Sequence, residues 1–306
     1  MTVLVTGGNG LVGSALKEVL GGKSVFYATR KHADLSNRLE TLALFNKIKP
    51  KTVIHLAAVV GGLYFNMENN YKIFIENTKI NTNVMEACVT CGVKKFISVT
   101  STCIFPKDAK GVLTSEMLHQ GPPHPSNEGY SFAKRSSHFM AKLLSEQGIQ
   151  VANLIPTNIY GKNDNYNIVQ GHVIPALIHR AYLAKKNGHN LQVKGDGTAL
   201  RQFIYAKDLA RIIFQLLSMQ FDYISAICSP PVSSQVEIKD ILCYITNKLA
   251  LDRNVIYGTE SIGQYKKTTD ETEIKAILPN FKFTDLDVGL SKVVDHFISN
   301  YPSTRR

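Results

Sequence analysis

The sequence predicts an α/β protein: a doubly wound parallel sheet followed by a smaller C-terminal α/β domain. Three observations predict it. Strand-like and helix-like stretches alternate through the first half of the chain, a glycine-rich turn follows the first strand, and the alternation breaks into a Gly-, Asn- and Asp-rich loop after Pro156. A length of 306 residues suits one large domain with a smaller partner.

The alternating stretches follow a βαβ order, which parallel strands require because each crossover needs a long connection. The predicted strands are Val3–Val5, Ser24–Ala28, Val53–Leu56, Phe96–Val99 and Val151–Ile155. The predicted helices are Leu11–Leu20, Arg38–Lys47, Tyr71–Cys91 and Tyr130–Gln147. Residues 1–160, with about 201–233, are expected to form the cofactor-binding domain. Residues 161–200 and 234–306 are expected to form the substrate-binding domain.

Bulk composition narrows the functional class. Hydrophobic residues make up 44% and charged residues 19%, and no apolar run is long enough to cross a membrane, so we expect a soluble, cytoplasmic protein. An odd number of cysteines, five, argues against a disulfide framework, and we expect no metal site. The net charge of +11 is scattered, which argues against nucleic acid as a partner and leaves open an attraction for small polyanions.

The glycine-rich turn lies directly after the first predicted strand and before an amphipathic helix. Gly7, Gly10 and Gly13 allow a tight turn, close approach of a pyrophosphate and close packing of helix on sheet. The free N–H groups of the helix N-terminus attract the anion. This context predicts a dinucleotide site that also includes Val12.

The end of the second strand indicates which dinucleotide is bound. An NAD site usually places a carboxylate there, whereas this chain has Arg30 and Lys31, which suit the 2′-phosphate of NADP. The alternative is that both are ordinary surface cations. Asp34, beside Leu35, could contact the adenine or could cap the next helix.

Tyr130 and Lys134 are four residues apart in a predicted helix, so both project from one face. A nearby ammonium favours the phenolate, and lowering a tyrosine pKa from about 10 to about 7 takes about 4 kcal/mol. Ser101, beyond the strand Phe96–Val99, can donate a hydrogen bond to a substrate carbonyl. These three residues predict a carbonyl-reducing site.

Together these motifs resemble the extended short-chain dehydrogenase/reductases and, within them, the GDP-L-fucose synthases. The resemblance rests on four further segments, at 101–107, 127–134, 156–161 and 171–177, and on Gly195-x-Gly197-Thr198-x-x-Arg201-x-Phe203. It implies a Rossmann fold and NADPH-dependent conversion of GDP-4-keto-6-deoxy-D-mannose to GDP-L-fucose, by 3,5-epimerisation followed by reduction at C4. It also implies a homodimer built on the helices near 77–91 and 130–147.

The resemblance assigns roles residue by residue. Tyr130 is the implied proton donor to the keto oxygen, supported by Lys134 and Ser101, while Cys103 and His172 form the epimerisation pair. The implied NADPH contacts are Gly7, Gly10, Val12, Gly13, Arg30, Asp34, Leu35, Leu56, Ala57, Ala58, Val99, Thr100, Ser101, Thr102, Lys134, Pro156, Thr157, Asn158, Ile159 and His172. The implied contacts to the GDP-sugar are Arg180, Arg201, Asn158 and Lys194.

Two positions depart from the family pattern. Lys194 stands where the family usually has an aromatic residue, and Ile262 where it often has Asp. Both concern the sugar-nucleotide pocket and leave two alternatives open. One is a C5-epimerase/4-reductase acting on a 3,6-dideoxy GDP-sugar, and the other is a nucleotide-sugar 4-epimerase.

Overall fold

The computed structural model describes residues 2–21, 24–259 and 264–305; Ile262, the second departure from the family pattern, lies outside them. The strands are β1 (Val3–Thr6), β2 (Val25–Tyr27), β3 (Thr52–His55), β4 (Lys95–Val99), β5 (Gln150–Pro156), β6 (Asn158–Tyr160), β7 (Leu191–Val193), β8 (Leu200–Arg201), β9 (Phe203–Tyr205), β10 (Tyr223–Cys228), β11 (Val236–Glu237) and β12 (Val255–Tyr257).

The α-helices and the short 3-10 helices connect these strands. The α-helices are α1 (Leu11–Leu20), α2 (Arg38–Ile48), α3 (Leu63–Glu68), α4 (Asn70–Thr90), α5 (Glu128–Ser145), α6 (Val173–Asn187), α7 (Ala206–Ser218), α8 (Ile238–Lys248), α9 (Thr272–Ile277) and α10 (Leu286–Asn300). The 3-10 helices are Thr102–Ile104, Ser115–His119, Pro125–Asn127 and Val232–Ser234.

The predicted doubly wound sheet is confirmed. Six strands form one parallel sheet in the order β10-β5-β4-β3-β1-β2, with β1 between β2 and β3. The chain leaves β1 toward one edge and returns at β3 toward the other, so the strand order reverses between these two strands. Ligands of such sheets bind in the crevice at the carboxyl ends of the strands beside this reversal.

Each strand buries side chains on both faces of the sheet. Val3 and Val5 of β1 face a core formed with α1 and α7, whereas Leu4 faces a core formed with α2, α4 and α5. This alternation follows from the two-residue period of a strand. It explains why the strands of this half read as continuous apolar runs.

Away from the large sheet and its two faces lies a separate core, called the second core below. It is formed under α6, α8 and α10, where Tyr166, Ile178 and Phe297 are almost fully buried. Strand β7 pairs with β12 at its edge. The expected boundaries need two corrections. Ile274, in α9, packs into the core of the large sheet although 234–306 was assigned to the substrate-binding domain.

Strand β9 supplies the second correction, because it belongs to both cores. Ile204 packs into the core of the large sheet, while Phe203 and Tyr205 face the second core. The segment 201–233 is therefore shared between the two units. Successive side chains of β9 point to opposite faces of the strand, and no sequence pattern shows which core each face meets.

Membrane-spanning helices and metal-binding side-chain clusters are both absent from the described ranges. None of the helices there is long and apolar enough to span a membrane. Over the same residues, no cluster of His, Cys, Asp and Glu side chains could hold a metal ion.

Candidate active site

The glycine turn closes the carboxyl end of β1. Gly7 has a φ of 69°, which favours glycine, and a Cβ there would lie 2.9 Å from the backbone nitrogen of Ala57. A Cβ on Gly13 would lie 2.6 Å from the Gly7 carbonyl oxygen. No side chain caps the N-terminus of α1, which begins after Gly10. Its first N–H groups are therefore left for an anion, as a pyrophosphate site requires.

A buried polar chain holds the turn against β3. The Thr6 hydroxyl lies 2.8 Å from Nδ1 of His55 and accepts from the backbone N–H groups of Leu56 and Ala57. Burial, helped by the Lys134 charge, lowers the pKa of His55 to about 4, so the ring is neutral. Its Nε2 lies 3.0 Å from the Asn81 side-chain oxygen. These bonds fix the backbone at Leu56 and Ala57, two of the expected NADPH contacts.

The end of β2 presents the residues expected to select NADP. Arg30, Lys31 and Asp34 are exposed, and Leu35 is buried. Asp34 does not cap α2, one of the two roles considered for it. Its carboxylate accepts from the backbone and hydroxyl of Ser36, which lowers its pKa, and Asn37 is the N-cap of α2.

The remaining expected cofactor residues line the ends of β4 and β5. Val99, Thr100, Thr102, Pro156 and Thr157 are buried, and the Thr157 hydroxyl has no hydrogen-bond partner among the described residues. Ala58, Ser101 and Ile159 are half-buried, and Asn158 is exposed. A buried hydroxyl without a partner is costly unless a ligand satisfies it, so this wall fits a bound dinucleotide.

Tyr130 and Lys134 lie in the first two turns of α5, both buried. The Lys134 ammonium donates to the Val99 carbonyl at 2.9 Å and lies 5.9 Å from the centroid of the Tyr130 ring. Burial lowers the pKa of Lys134 to about 8. Burial, together with the nearby Cys103, raises the pKa of Tyr130 above its ordinary value.

The expected lowering of the Tyr130 pKa is therefore absent in the protein alone. The cause is desolvation, which outweighs the attraction of an ammonium that is turned toward Val99. The phenol stays protonated, which is the form that a proton donor to a carbonyl oxygen needs.

Ser101 and Cys103 stand beside this pair. Ser101 is the N-cap of the 3-10 helix Thr102–Ile104, and its hydroxyl accepts from the Cys103 backbone at 3.3 Å. The Ser131 hydroxyl donates to the Cys103 carbonyl at 3.0 Å. Because Ser131 follows Tyr130 directly, this bond brings the expected epimerisation cysteine next to the expected proton donor. All five cysteines of the chain, Cys103 included, are free.

His172 precedes α6 and has a side chain that is 46% exposed, so a substrate can reach it. Its Nδ1 lies 3.6 Å from the carboxylate of Asp164, which is almost fully buried. Desolvation by the surrounding protein lowers the pKa of the partly exposed imidazole, but the hydrogen bond and charge of Asp164 outweigh it, and the net pKa of His172 is raised. Within the described ranges, the second oxygen of Asp164 has no hydrogen-bond partner.

Two hydrogen bonds connect the His172 loop to the start of α5. The N–H of Gly62, the N-cap of α3, donates to the Gln170 carbonyl at 2.7 Å. From α3 itself, the side-chain amide of Asn66 donates to the side-chain oxygen of Asn127, one residue before α5, at 2.7 Å. The His172 loop and the Tyr130 helix are thus joined through α3.

The expected substrate residues are divided between two walls. Lys194 places its ammonium 3.9 Å from the centroid of the Tyr64 ring. Burial lowers the pKa of Arg180. Arg180 donates to the Ile168 carbonyl. Tyr64 supplies an aromatic ring on this wall, next to the position where the family pattern has one and this chain has Lys194.

Arg201 lies on the other wall, and its guanidinium forms hydrogen bonds with backbone carbonyls. Its guanidinium donates to the carbonyls of Leu200, Tyr265 and Gln264 at 2.8, 2.9 and 2.6 Å. These bonds hold the segment that begins at 264 against β8. In this arrangement Arg201 supports the pocket wall as well as offering its charge to it.

Comparison with known proteins places these features in one family. Residues 3–223 match the model of the NAD dependent epimerase/dehydratase family. A GDP-L-fucose synthase from Dictyostelium discoideum is 41% identical, covering 100% of this chain and 98% of the relative. A crystal structure of a GDP-L-fucose synthetase from Naegleria fowleri bound to NADP superposes with a TM-score of 0.92 at 33% identity, covering 100% of this chain and 95% of that one. The chain belongs to the GDP-L-fucose synthase family.

A more distant relative is a GDP-L-colitose synthase from Yersinia pseudotuberculosis, 29% identical over 98% of both chains. Membership of the GDP-L-fucose synthase family is thus supported over the full length of the chain, including the part after Asp208 where the sequence motifs thin out.

Three residues that face this GDP-L-fucose synthase-type site were missed from the sequence. Lys267 donates to the Thr102 carbonyl at 2.9 Å, and burial lowers its pKa to about 8. Asp164 pairs with His172, and Tyr64 with Lys194. Asp164 lies in the polar loop after Pro156. The signal available in the sequence was a carboxylate eight residues before His172. The other two lie far in sequence from their partners.

Replacement of Arg30 and Lys31 tests which dinucleotide the site prefers. In Arg30→Ser/Lys31→Ser, loss of charge-assisted hydrogen bonds to a 2′-phosphate is expected to weaken NADPH binding about 10- to 100-fold and to leave NADH binding nearly unchanged. Fluorescence titration with each dinucleotide measures both. Lys47→Ser, an exposed cation in α2, is the control. An equal loss for NADH and NADPH would contradict the assignment.

Proposed function

We propose that the chain converts GDP-4-keto-6-deoxy-D-mannose to GDP-L-fucose, by epimerisation at C3 and C5 followed by NADPH-dependent reduction at C4. The observation that carries the proposal is the placement of Cys103 beside Tyr130 and Lys134. Ser131 ties the Cys103 backbone to the helix that holds the other two residues. A simple ketone reductase needs only the Ser101, Tyr130 and Lys134 set.

Epimerisation uses the acidity of the protons next to the C4 ketone. Cys103 removes the proton at C3 or C5, and the electron pair moves onto the C4 oxygen to give an enolate. The hydroxyls of Tyr130 and Ser101 stabilise that oxygen by hydrogen bonding. His172 then returns a proton to the opposite face of the carbon, which inverts its configuration. Its raised pKa, set by Asp164, keeps the imidazole protonated for this step.

Reduction then occurs at the same carbonyl. NADPH, when bound, supplies the hydride that C4 receives. Tyr130 donates its proton to the C4 oxygen as that oxygen becomes a hydroxyl, and burial keeps the phenol protonated until then. The Lys134 ammonium, 5.9 Å from the ring centroid, stabilises the phenolate that remains. Gly7, Gly10 and Gly13 would hold the pyrophosphate. The Thr157 hydroxyl would form a hydrogen bond with the dinucleotide.

The proposal is tested by incubating the protein with GDP-4-keto-6-deoxy-D-mannose and NADPH, following NADPH oxidation by absorbance and identifying the product sugar by NMR. Wild type is expected to form GDP-L-fucose. Cys103→Ser replaces the thiol by a much weaker acid, so GDP-L-fucose formation is expected to fall about 10²- to 10⁴-fold. Cys243→Ser makes the same substitution at an exposed cysteine and serves as control.

Two results would redirect the assignment. If the protein acts instead on a 3,6-dideoxy ketone with inversion at C5 alone, the substrate is the dideoxy sugar. If NADPH is not consumed while another nucleotide-sugar is interconverted at C4, the protein is a 4-epimerase.

The Asp164–His172 contact predicts a pH effect. Because Asp164 raises the pKa of His172, the imidazolium persists to higher pH in wild type. In Asp164→Asn that pKa falls, so the loss of epimerisation on raising the pH is expected to begin at lower pH. Proton exchange at C3 and C5, measured across pH, reports directly the high-pH limb of the profile, where epimerisation is lost. Asp252→Asn, an exposed carboxylate, is the control; an unshifted limb in Asp164→Asn would contradict the role of the pair.

We also propose that α4 and α5 mediate homodimerisation. Phe132, Phe139 and Leu143 form a partly exposed stripe along α5 at helical spacing, and Tyr71 on α4 is 81% exposed. Between the two helices lies a groove of about 400 Å³. A second copy of this face would bury the stripe around a two-fold axis, as a four-helix bundle does.

Phe139→Glu tests this interface. A carboxylate at the centre of the stripe is expected to convert a dimer to a monomer, since it would be buried unpaired. Analytical ultracentrifugation measures the mass, and Val288→Glu, on an exposed site of α10, is the control. A wild-type protein that stays monomeric at high concentration would contradict the dimer.

A further inference from the structure

The turn that carries Cys103 is held from outside itself. Its three carbonyl groups each accept a hydrogen bond from a side chain: Thr102 from Lys267 at 2.9 Å, Cys103 from Ser131 at 3.0 Å, and Ile104 from Arg135 at 2.5 Å. A single 3-10 turn has few internal bonds of good geometry. These three donors therefore fix its orientation, and with it the direction of the Cys103 thiol.

Two of the donors belong to α5. Ser131 and Arg135 are four residues apart and share a face of the helix, each directly after a member of the reducing pair, Tyr130 and Lys134. The helix that carries the Tyr130 phenol thus also holds the backbone of the turn that carries the Cys103 thiol. Any shift of α5 would move the proton donor and the base together.

Arg135 is built into the protein more firmly than a surface arginine. It is 7% exposed, and besides the Ile104 carbonyl it donates to the Gly121 carbonyl at 2.7 Å. Its Nη2 is buried and has no hydrogen-bond partner in the part of the chain that the structure describes. The planar guanidinium fork holds two backbone segments at fixed spacing, which an ammonium on a flexible stem does less well.

We propose that Ser131 and Arg135 are positioning residues for epimerisation: they hold the turn that carries the Cys103 thiol in register with the Tyr130 hydroxyl. This inference rests on the proposed function. It adds that the coupling of epimerisation to reduction is built into one face of α5.

The test separates epimerisation from reduction. Deuterium uptake at C3 and C5 of GDP-4-keto-6-deoxy-D-mannose is followed by NMR in D₂O without NADPH, across pH, and NADPH affinity is measured by fluorescence. In Ser131→Ala the maximal exchange rate is expected to fall about 3- to 10-fold, the effect of one hydrogen bond. In Arg135→Met it is expected to fall about 100-fold through misplacement of the base. NADPH affinity should change less than about threefold in both variants.

Partial rescue by the conservative variant distinguishes positioning from simple loss of stability. Arg135→Lys keeps a donor at this place and should recover only part of the exchange rate, because an ammonium on a flexible stem holds the Ile104 and Gly121 carbonyls less well than the planar guanidinium does.

Two controls remove comparable contacts elsewhere. Lys95→Met deletes a buried ammonium that donates to the carbonyls of Leu216, Leu217 and Met219, and should lower the melting temperature without changing exchange. Ser137→Ala removes another buried hydroxyl of α5.

The outcomes are distinct. Absence of both exchange and NADPH oxidation in wild type would overturn the proposed function itself. Wild-type exchange that persists at the same rate in Ser131→Ala and Arg135→Met would overturn only the positioning role. If Arg135→Met does not fold, Ser131→Ala and Arg135→Lys decide the question.

Discussion

A buried ammonium must be given hydrogen-bond acceptors, and Lys134 finds one in the Val99 carbonyl at the end of β4. This bond fixes the first turns of α5 against the carboxyl edge of the sheet. Tyr130, one turn earlier on the same face, is thereby aimed into the cleft. The positions of the proton donor and of the cofactor wall are set by one interaction between a helix and a strand end.

The C-terminal segment reaches this anchor through a few long-range bonds. Glu273 accepts from the backbone of Ser115 with one carboxylate oxygen and from Ile227 in β10 with the other, both at 2.7 Å. Lys267 donates to the turn that contains Cys103. The C-terminal segment thus braces the loop between β4 and α5 as well as the edge of the large sheet. Cys103, the proposed base for epimerisation, lies in this braced turn.

The predictions that succeeded from sequence rest on local rules. The two-residue and 3.6-residue periods gave helix α1 as observed and placed α4 and α5 within two residues of their true ends. The glycine turn was predictable because its sequence position, between strand and helix, fixes its geometry. Tyr130 and Lys134 were recognisable since their spacing on one helix is itself the functional feature.

The parts that failed depend on tertiary contacts that no local pattern encodes. The core that receives Ile274 is built from distant segments. The hydrogen bonds to the turn that carries Cys103 join residues up to 165 positions apart. The Tyr130 pKa was misjudged because burial, which the sequence does not report, outweighs the effect of the Lys134 charge. Such residues become visible only when the folded chain shows which buried polar groups share partners.

In the proposed mechanism one carbonyl position serves both chemistries, with Cys103 and His172 on opposite faces of the sugar. A crystal structure of the complex with NADP and GDP-L-fucose would show this arrangement directly. We expect the sugar O4 within hydrogen-bond distance of the Tyr130 and Ser101 hydroxyls, with the Cys103 thiol on one face of the ring and the His172 imidazole on the other. A sugar bound with both side chains on the same face, or with O4 directed away from Tyr130, would contradict it.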